Sequence, residues 1–145
     1  MVSSFEINDI DEINSLGSIL NPKFTSLFHI DKLNPNEKIY VYKKYNQIIG
    51  FIHISINYET ADLLNIIVKE EFQSQGIAST LMDYMITELP KTVNHILLEV
   101  NDNNKSAIRL YNKFNFNVIS TRKNYYPNGN ALIMERKIIW KMYIY

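Results

Sequence analysis

The sequence predicts a mixed α/β fold: a mostly antiparallel sheet of seven strands with a parallel pair at its centre, and about four helices. Two observations indicate this class. The predicted elements follow the order strand, two helices, three strands, helix, strand, helix, two strands. Between residues 60 and 114, strand and helix alternate twice. Such a crossover is right-handed and joins parallel strands.

The first third of the chain is expected to form one strand, two helices and a hairpin. "SSFEIND" is typical of a short strand, and "DIDEINSLGSIL" repeats apolar residues at helical spacing behind Asp9, a residue type that caps helices. "PKFTSLFHID" predicts a second short helix with Pro22 in its first turn. "KIYVYKKYNQIIGFIHISI" divides at Lys43–Asn46 into two strands joined by a tight turn.

The middle of the chain changes period twice. "TADLLNIIVKEE" continues the meander as a third strand, and residues 76–89 then repeat apolar positions every four residues until Pro90 ends the helix. "VNHILLEV" predicts a strand. "NNKSAIRLYNKF" predicts a helix capped by Asn103 or Asn104, with Asn115 as a left-handed C-cap. "FNVISTRK" and "ALIMERKIIWKMYIY" predict the last two strands, around the loop "NYYPNGN".

Length and charge limit the classes of partner. A chain of 145 residues is expected to form one domain over residues 1–145. Lys+Arg and Asp+Glu are both 15, so the formal net charge is zero and nothing favours nucleic acid or an anionic membrane. No apolar run reaches the roughly 18 residues that span a bilayer, and the start does not resemble a secretory signal. We therefore expect a cytoplasmic protein.

Composition also excludes several kinds of chemistry. The chain has no cysteine, which excludes disulfides, thiolate zinc sites and a cysteine nucleophile. Its three histidines, His29, His53 and His95, lie far apart and show no metal-ligand spacing, so no metal is expected.

The stretch "EEFQSQGIASTLM" is the first candidate site. A strand, a glycine-containing turn and the start of a helix together favour an anion, because free backbone N–H groups point outward there. A P-loop is excluded because no lysine follows Gly76, and a dinucleotide fingerprint is excluded because its other glycines are missing. What remains is Gln73-x-x-Gly76-x-Ala78, for which a simple strand-to-helix turn stays the alternative.

Two further residues indicate proton transfer. Glu99 lies near the end of a strand whose other residues are mostly apolar, and Tyr111 lies on the following helix. A carboxylate and a phenol near one edge of a sheet can serve as general base and general acid. The alternative is that Glu99 is only solvated and that Tyr111 belongs to the core.

Three segments, in this order and spacing, resemble the GNAT family of acetyltransferases: "LLNIIVKEEFQSQGIASTLM", "ILLEVNDNNKSAIRLYNKFNF" and "RKNYYPNGNALIM". They are most similar to the RimI-like branch, which acetylates the N-terminal alanine of a ribosomal protein. The similarity extends over about residues 62–137, and before it only the order of elements agrees. It implies the GNAT fold, acetyl-CoA as cosubstrate and an amine as acceptor.

The resemblance implies a role for each matching position. Glu99 corresponds to the general base and Tyr111 to the general acid. The strand Ile66–Val68 is expected to separate from the strand Ile96–Val100 and to hold the pantetheine arm. The residues that correspond to the acetyl-CoA site are Ile66, Ile67, Val68, Gln73, Ser74, Gln75, Gly76, Ile77, Ala78, Ser79, Asn104 and Tyr111.

The chain also departs from the family's pattern. The family commonly has arginines within and just after the signature, where this chain has Ser74 and Ser79, and no Lys or Arg occurs between Lys69 and Lys91. A pyrophosphate is therefore expected to rest on amides, hydroxyls and the helix dipole. Asn101 replaces a usual arginine. The loop "YYPNGNA" is short and lacks an acidic residue, which affects the expected peptide specificity.

Three functions are compatible with these residues: acetylation of a protein N-terminus, acetylation of a small amine or polyamine, and binding of acyl-CoA without catalysis. The joint presence of Glu99 and Tyr111 disfavours the third. The resemblance ends near Lys137, so residues 138–145 extend the last strand. They either cover the chain's own sheet or pair with a second copy, in which case a homodimer is expected.

Overall fold

The computed structural model describes residues 1–140 as a seven-stranded mixed sheet with four α-helices. The strands are β1 Val2–Ser4, β2 Glu37–Lys44, β3 Gln47–Asn57, β4 Thr60–Val68, β5 His95–Asn101, β6 Asn117–Tyr126 and β7 Gly129–Lys137. The helices are α1 Ile10–Leu20, α2 Phe24–Leu27, α3 Ile77–Glu88 and α4 Lys105–Lys113. The strand order is β1-β2-β3-β4-β5-β7-β6. β4 and β5 pair in parallel, which confirms the predicted fold class.

Contacts divide the chain into two compact units. The first contains residues 1–55 and 64–89, and the second contains residues 56–63 together with the chain from residue 90 onward. A single domain over residues 1–145 stays a prediction. No helix within residues 1–140 is long and apolar enough to cross a membrane.

The core of the first unit forms where the apolar face of α1 packs on β2 and β3. The Phe24 and Phe51 rings meet edge to face at 5.9 Å between centroids. Gly17 is needed for this packing, because a Cβ there would lie 2.6 Å from the Phe24 ring. Each fully buried aliphatic or aromatic side chain contributes about 1.5–3 kcal/mol. The core residues are Ile13, Leu16, Phe24, Ile30, Ile39, Val41, Ile48, Phe51 and Ile67.

Two expectations for the first unit were wrong in detail. Asp9 does not cap α1 with its side chain; its Oδ2 accepts from the Glu6 amide at 2.8 Å and its Oδ1 pairs with Lys43 at 2.9 Å. It therefore closes the preceding 3-10 turn instead. The second helix is only one turn long, and a separate 3-10 turn follows at Ile30–Lys32.

The hairpin between β2 and β3 is confirmed. Tyr45 and Asn46 have φ values of 53° and 58°, which is the positive-φ pair that a two-residue type I′ turn requires. The strands pair from Glu37↔Ser55 to Lys44↔Gln47.

The second unit is organised by β5, which pairs with β7 on one side and with the start of β4 on the other. The parallel register runs from Thr60↔His95 to Asp62↔Leu97. Burial alternates along β5 as expected: Ile96, Leu98 and Val100 are buried, whereas Glu99 lies on the open face. The predicted left-handed Asn115 is confirmed, with φ 65°.

The loop between the last two strands is tighter than expected. β6 continues to Tyr126 and β7 starts at Gly129, so only Pro127 and Asn128 remain between them rather than the whole stretch 124–130. Residues 138–140 were expected to extend the last strand, and this was wrong because β7 ends at Lys137.

The first residues of the tail contact their own chain. The Ile138 amide donates to the Asn94 carbonyl and Trp140 Nε1 donates to the Val93 carbonyl, both at 2.8 Å. The Lys91 ammonium lies 3.8 Å from the centroid of the Trp140 ring. These contacts favour the reading in which the tail covers its own unit. Residues 141–145 lie outside the described part, and the homodimer stays a prediction.

Candidate active site

The loop between β4 and α3 is fixed at both ends by hydrogen bonds within the first unit. The Lys69 amide donates to the Ile49 carbonyl at 2.8 Å, and a 3-10 turn follows at Glu70–Phe72. The Gln73 side chain turns back and donates from Nε2 to the Val68 carbonyl at 3.0 Å. Gln73 therefore shapes the loop with its own side chain.

The backbone after Gln73 presents unbonded N–H groups. Ser74 and Gly76 have positive φ values, 63° and 82°, and Gly76 precedes the first residue of α3. Both the amide and the hydroxyl of Thr80 donate to the Gly76 carbonyl at 3.0 Å. By contrast, the amides of residues 74–78 have no acceptor within residues 1–140. Successive free amides at a helix N-terminus favour an anion such as a phosphate.

A cation near this loop comes from the hairpin and was not expected from the sequence. Lys44 Nζ lies 5.8 Å from the centroid of the Phe72 ring, next to the loop, and makes no ion pair within residues 1–140. Two carboxylates, Glu70 and Glu71, precede Phe72 in the chain. The expectation that a phosphate would rest only on amides, hydroxyls and the dipole stays a prediction. In the sequence, only the tight turn at Tyr45 could have indicated that Lys44 lies beside Phe72.

The other predicted cofactor residues of the first unit lie on β4 and at the start of α3. Ile67, Val68 and Ile77 are buried, while Ile66, Ala78 and Ser79 are half-buried and Gln75 is exposed. Gly50 permits the close approach of β3 to β4, because a Cβ there would lie 3.0 Å from the Ile67 carbonyl oxygen. The expected separation of Ile66–Val68 from Ile96–Val100 involves both units and stays a prediction.

Glu99 lies in the second unit and accepts two long hydrogen bonds. Arg122 Nη1 is 3.4 Å from Oε1, and the Tyr126 hydroxyl is 3.3 Å from Oε2. The Glu99 side chain is 32% exposed, so solvent screens the ion pair and its contribution to stability is small. The Glu99 carboxylate therefore has two hydrogen-bonding neighbours and is also accessible to solvent.

Arg122 and Tyr126 were not predicted as site residues. Both lie on β6, and the antiparallel hairpin with β7 returns them to β5. Burial, followed by the charge of Glu99, raises the pKa of Tyr126, so this phenol keeps its proton and donates to the carboxylate. The alternation along β6 could have placed them on one face, but not next to Glu99.

Tyr111 lies on α4 with its ring buried against Phe116, at 5.8 Å between ring centroids. Burial raises the pKa of Tyr111 to about 12, so the phenol is protonated at neutral pH. Its hydroxyl makes no hydrogen bond within residues 1–140, and none joins it to Glu99 there. A protonated phenol without a protein acceptor can donate to a ligand.

Asn104 is the predicted cap of α4, and this is confirmed. Its Oδ1 accepts from the Ala107 amide at 3.2 Å and from the Ser106 hydroxyl at 3.3 Å. The preceding loop is bonded to the β6–β7 hairpin: Asn101 Nδ2 donates to Asn128 Oδ1 at 2.8 Å. Asn104 thus has a structural role, and a cofactor contact through its amide nitrogen stays a prediction.

The predicted residues are therefore brought together in two groups. Residues 66–79 lie in the first unit and contain the loop with unbonded amides, and Glu99, Asn104 and Tyr111 lie in the second unit. The first group can hold a phosphate ester, and the second offers a base and two protonated phenols for proton transfer. Among residues 1–140, no group of three acidic or histidine side chains could hold a metal ion.

Known proteins share this sequence and fold. The family described as "Acetyltransferase (GNAT) family" matches residues 7–116. The [ribosomal protein bS18]-alanine N-acetyltransferase of Haemophilus ducreyi is 33% identical over 138 residues, which cover 81% of this chain and 95% of that protein. The crystal structure of the ribosomal-protein-S18-alanine N-acetyltransferase from Escherichia coli superposes with a TM-score of 0.83 and 26% identity, over 100% of this chain and 98% of that one. A GNAT family acetyltransferase from Elizabethkingia anophelis, solved with acetyl-CoA bound, shares the fold: TM-score 0.77, 20% identity, 95% and 97% coverage.

Proposed function

The chain belongs to the GNAT acetyltransferase family, and on this premise we propose that it acetylates the N-terminal α-amine of a protein. The family makes it an acetyl-CoA-dependent N-acetyltransferase. The finer proposal, the N-terminal acceptor, is carried by one observation: the Haemophilus ducreyi protein, named as a [ribosomal protein bS18]-alanine N-acetyltransferase, is 33% identical in an alignment that covers 95% of its length. A ribosomal-protein acceptor would place the reaction in the cytoplasm.

For the cofactor we propose that the loop 73–79 holds the pyrophosphate of acetyl-CoA. The unbonded amides of residues 74–78 and the N-terminus of α3 support this assignment, because both favour negative charge. Ile66–Val68 would hold the pantetheine arm through backbone groups, and Asn104 and Tyr111 would complete the site.

For the chemistry we propose that Glu99 is the base and Tyr111 the acid. An α-amine has a pKa near 8, so at neutral pH most of it is protonated and cannot attack. Glu99, directly or through a water molecule, takes this proton. The amine nitrogen then forms a bond to the thioester carbonyl carbon, the carbon–sulfur bond breaks, and the leaving thiolate takes the phenolic proton of Tyr111. The surplus proton on the new amide nitrogen passes to water, and Tyr111 regains a proton from solvent.

The environments of the two groups support these roles. Glu99 is partly exposed and can exchange a proton with solvent, whereas the buried Tyr111, with a pKa of about 12, stays protonated through the pH range in which an amine becomes a nucleophile. Tyr126, hydrogen-bonded to Glu99, would help to hold the carboxylate in place. No enzyme nucleophile is needed, in agreement with a chain that has no cysteine.

The acceptor is tested by following acetyl-CoA consumption with a panel of amines. We expect turnover with a peptide that begins with a free alanine, and none with the same peptide carrying a blocked N-terminus. Polyamines and aminoglycosides form the second arm of the panel. Turnover of these small amines together with inert peptides would contradict the protein acceptor but leave the family's activity in place.

The catalytic residues are tested by Glu99→Gln and Tyr111→Phe. Because a general acid or base contributes about 10²–10⁴-fold, each change should lower kcat by that range with little effect on acetyl-CoA affinity. Tyr125→Phe, a matched change at an exposed neighbour of Tyr126, should leave kcat unchanged. Full activity of Glu99→Gln between about pH 6 and 9 would show that the base is elsewhere or is solvent.

We also retain the homodimer through the C-terminal residues as part of the proposal. Ile139 is 89% exposed next to residues that already contact their own chain, so an apolar surface is available at the end of β7. The exposed Ile139 supports self-association through residues 138–145, and the corresponding test is given below.

A further inference from the structure

A hydroxyl, an imidazole and a carboxylate form a chain of hydrogen bonds at the start of β4 and β5. Thr60 Oγ1 lies 2.6 Å from His95 Nε2, and His95 Nδ1 lies 2.9 Å from Glu135 Oε2. All three residues belong to the second unit, and none of them has a role in the proposed acetyl transfer.

The sheet holds this cluster in register across three strands. Thr60 and His95 are the first residues of two parallel strands and are directly paired, and Glu135 lies on β7 opposite Leu97, the next residue on the same face of β5. The cluster is thus at the amino ends of β4 and β5. Glu99 is four residues further along β5, or roughly 13 Å at about 3.3 Å per residue.

The chemistry of the partners fixes the direction of each hydrogen bond. An ionised carboxylate only accepts, so His95 Nδ1 carries the proton and donates to Glu135. The other nitrogen, Nε2, is then an acceptor, and the Thr60 hydroxyl donates to it. This is the relation of nucleophile, base and orienting carboxylate that activates a hydroxyl in covalent catalysis.

Thr60 also borders an open cavity. Thr60 lines an open cavity of about 690 Å³ together with Asn57, Tyr58, Glu59 and Thr92. The side chains of His95 and Glu135 are 28% and 19% exposed, so the relay is neither sealed in the core nor fully solvated. A cavity of this size is large enough for a small molecule.

One more carboxyl belongs to this face. Burial raises the pKa of Asp62, and the nearby charge of His95 acts in the opposite direction. Two carboxyl groups, those of Asp62 and Glu135, therefore interact with His95. This surrounding stabilises the charge that forms when His95 accepts a proton.

We propose that Thr60, His95 and Glu135 form a second, hydrolytic site that accepts an acyl group from a small acyl ester. The Thr60 oxygen forms a bond to the acyl carbon while its proton moves to His95 Nε2. The carbon–oxygen bond to the leaving alcohol breaks, and the alcohol oxygen takes that proton. Water, deprotonated by His95, then attacks the acyl-threonine; the acid leaves and Thr60 recovers its proton. Glu135 is a positioning residue.

The test uses p-nitrophenyl acetate, without acetyl-CoA, on the full chain. We expect release of p-nitrophenolate and, by mass spectrometry of peptides, an acetyl group on Thr60. Thr60→Val keeps the shape of the side chain but removes the hydroxyl, and should lower the rate at least about 100-fold, the lower end of general-base effects. Thr60→Ser should keep the activity, which shows that loss in Thr60→Val is not a folding defect.

The control and the remaining variants separate chemistry from structure. Thr121→Val makes the same change at an exposed threonine that does not line the cavity, and it should leave the rate unchanged. His95→Gln should abolish acylation, and Glu135→Gln should lower kcat with KM unchanged, because Glu135 bonds the imidazole and does not line the cavity. Equal rates for Thr60→Val and the unaltered chain, or acetyl groups on lysines and none on Thr60, would overturn the proposal.

Discussion

Replacement of Gly76 by valine is expected to weaken CoA binding much more than it destabilises the fold. Gly76 has φ 82°, a left-handed conformation that a side chain disfavours by about 1–2 kcal/mol. A Cβ at this position would meet nothing within 4 Å, so no clash is added to that strain. A domain of this kind has a free energy of unfolding of about 5–15 kcal/mol, and the variant should therefore stay folded.

The effect on binding is expected to be larger. The space that the new side chain enters lies beside the amides of residues 74–78, which have no protein acceptor. A hydrogen bond to a charged group is worth about 1.5–3 kcal/mol, so the loss of two of them would cost about 3–6 kcal/mol. At about 1.4 kcal/mol for each factor of ten, the Kd for CoA should rise by about two to four orders of magnitude.

Calorimetric titration with CoA measures the affinity, and circular dichroism measures the fold. Lys38→Val, which places the same side chain at an exposed position of β2 outside this loop, is the matched control and should keep CoA affinity within a few-fold. A folded Gly76→Val protein with unchanged affinity for CoA would refute the assignment of this loop to the pyrophosphate.

The remaining predictions concern the hairpin, a buried histidine and the tail. In Gly129→Ala the new Cβ would strike Asn101 Oδ1, so the hairpin should shift, with a lower thermal midpoint and a lower kcat in the acetylation assay. Burial lowers the pKa of His53, so the unfolded state binds more protons than the folded state below about pH 6.5. The stabilisation should therefore be complete above this pH and decrease as the pH falls. In thermal melts, His53→Asn should lose this pH dependence, whereas His29→Gln should keep it. Removal of residues 138–145 should convert the expected dimer into a monomer by light scattering; a dimer that survives, or a full-length monomer, would contradict the role of the tail.

The parts of the fold that could be predicted depend on neighbours in sequence. The start of α3, its end before Pro90 and the cap at Asn104 follow from side chains within one turn of the position they control. The alternation along β5 predicted that Glu99 lies on the open face for the same reason, because successive side chains of a strand point to opposite faces.

The parts that could not be predicted depend on contacts between distant residues. Asp9 pairs with Lys43, 34 positions away, and Lys44 reaches Phe72 only because two strands return the chain. Tyr126 meets Glu99 through the register of two successive strand pairs, which local periodicity does not specify. The sequence therefore indicated candidate site residues but not the distant residues that contact them.

A single polar network sets the geometry of the proposed acid–base groups in the second unit. Asn130 donates to both carboxyl oxygens of Asp102, from its amide at 3.1 Å and from Nδ2 at 3.0 Å, and the Asp102 amide donates to the Asn130 carbonyl at 2.9 Å. Asn128 bonds the same loop through Asn101. These contacts join the hairpin that carries Tyr126 to the loop that begins α4.

This network is expected to affect the geometry of the proposed site more than the stability of the fold. Asn101, Asp102 and Asn130 are half-buried and Asn128 is exposed. Each hydrogen bond of the network adds about 0.5–1.5 kcal/mol to the free energy of unfolding. Bonds from two directions nevertheless fix the hairpin and the start of α4 relative to the end of β5, where Glu99 lies. Because a misplacement of about 1 Å can cost about a hundredfold in rate, catalysis depends on this network more than folding does. Asn101, which replaces an arginine usual in the family, and Asn128 and Asn130 are thus understandable as hydrogen-bonding groups that would hold the proposed site without adding charge to it.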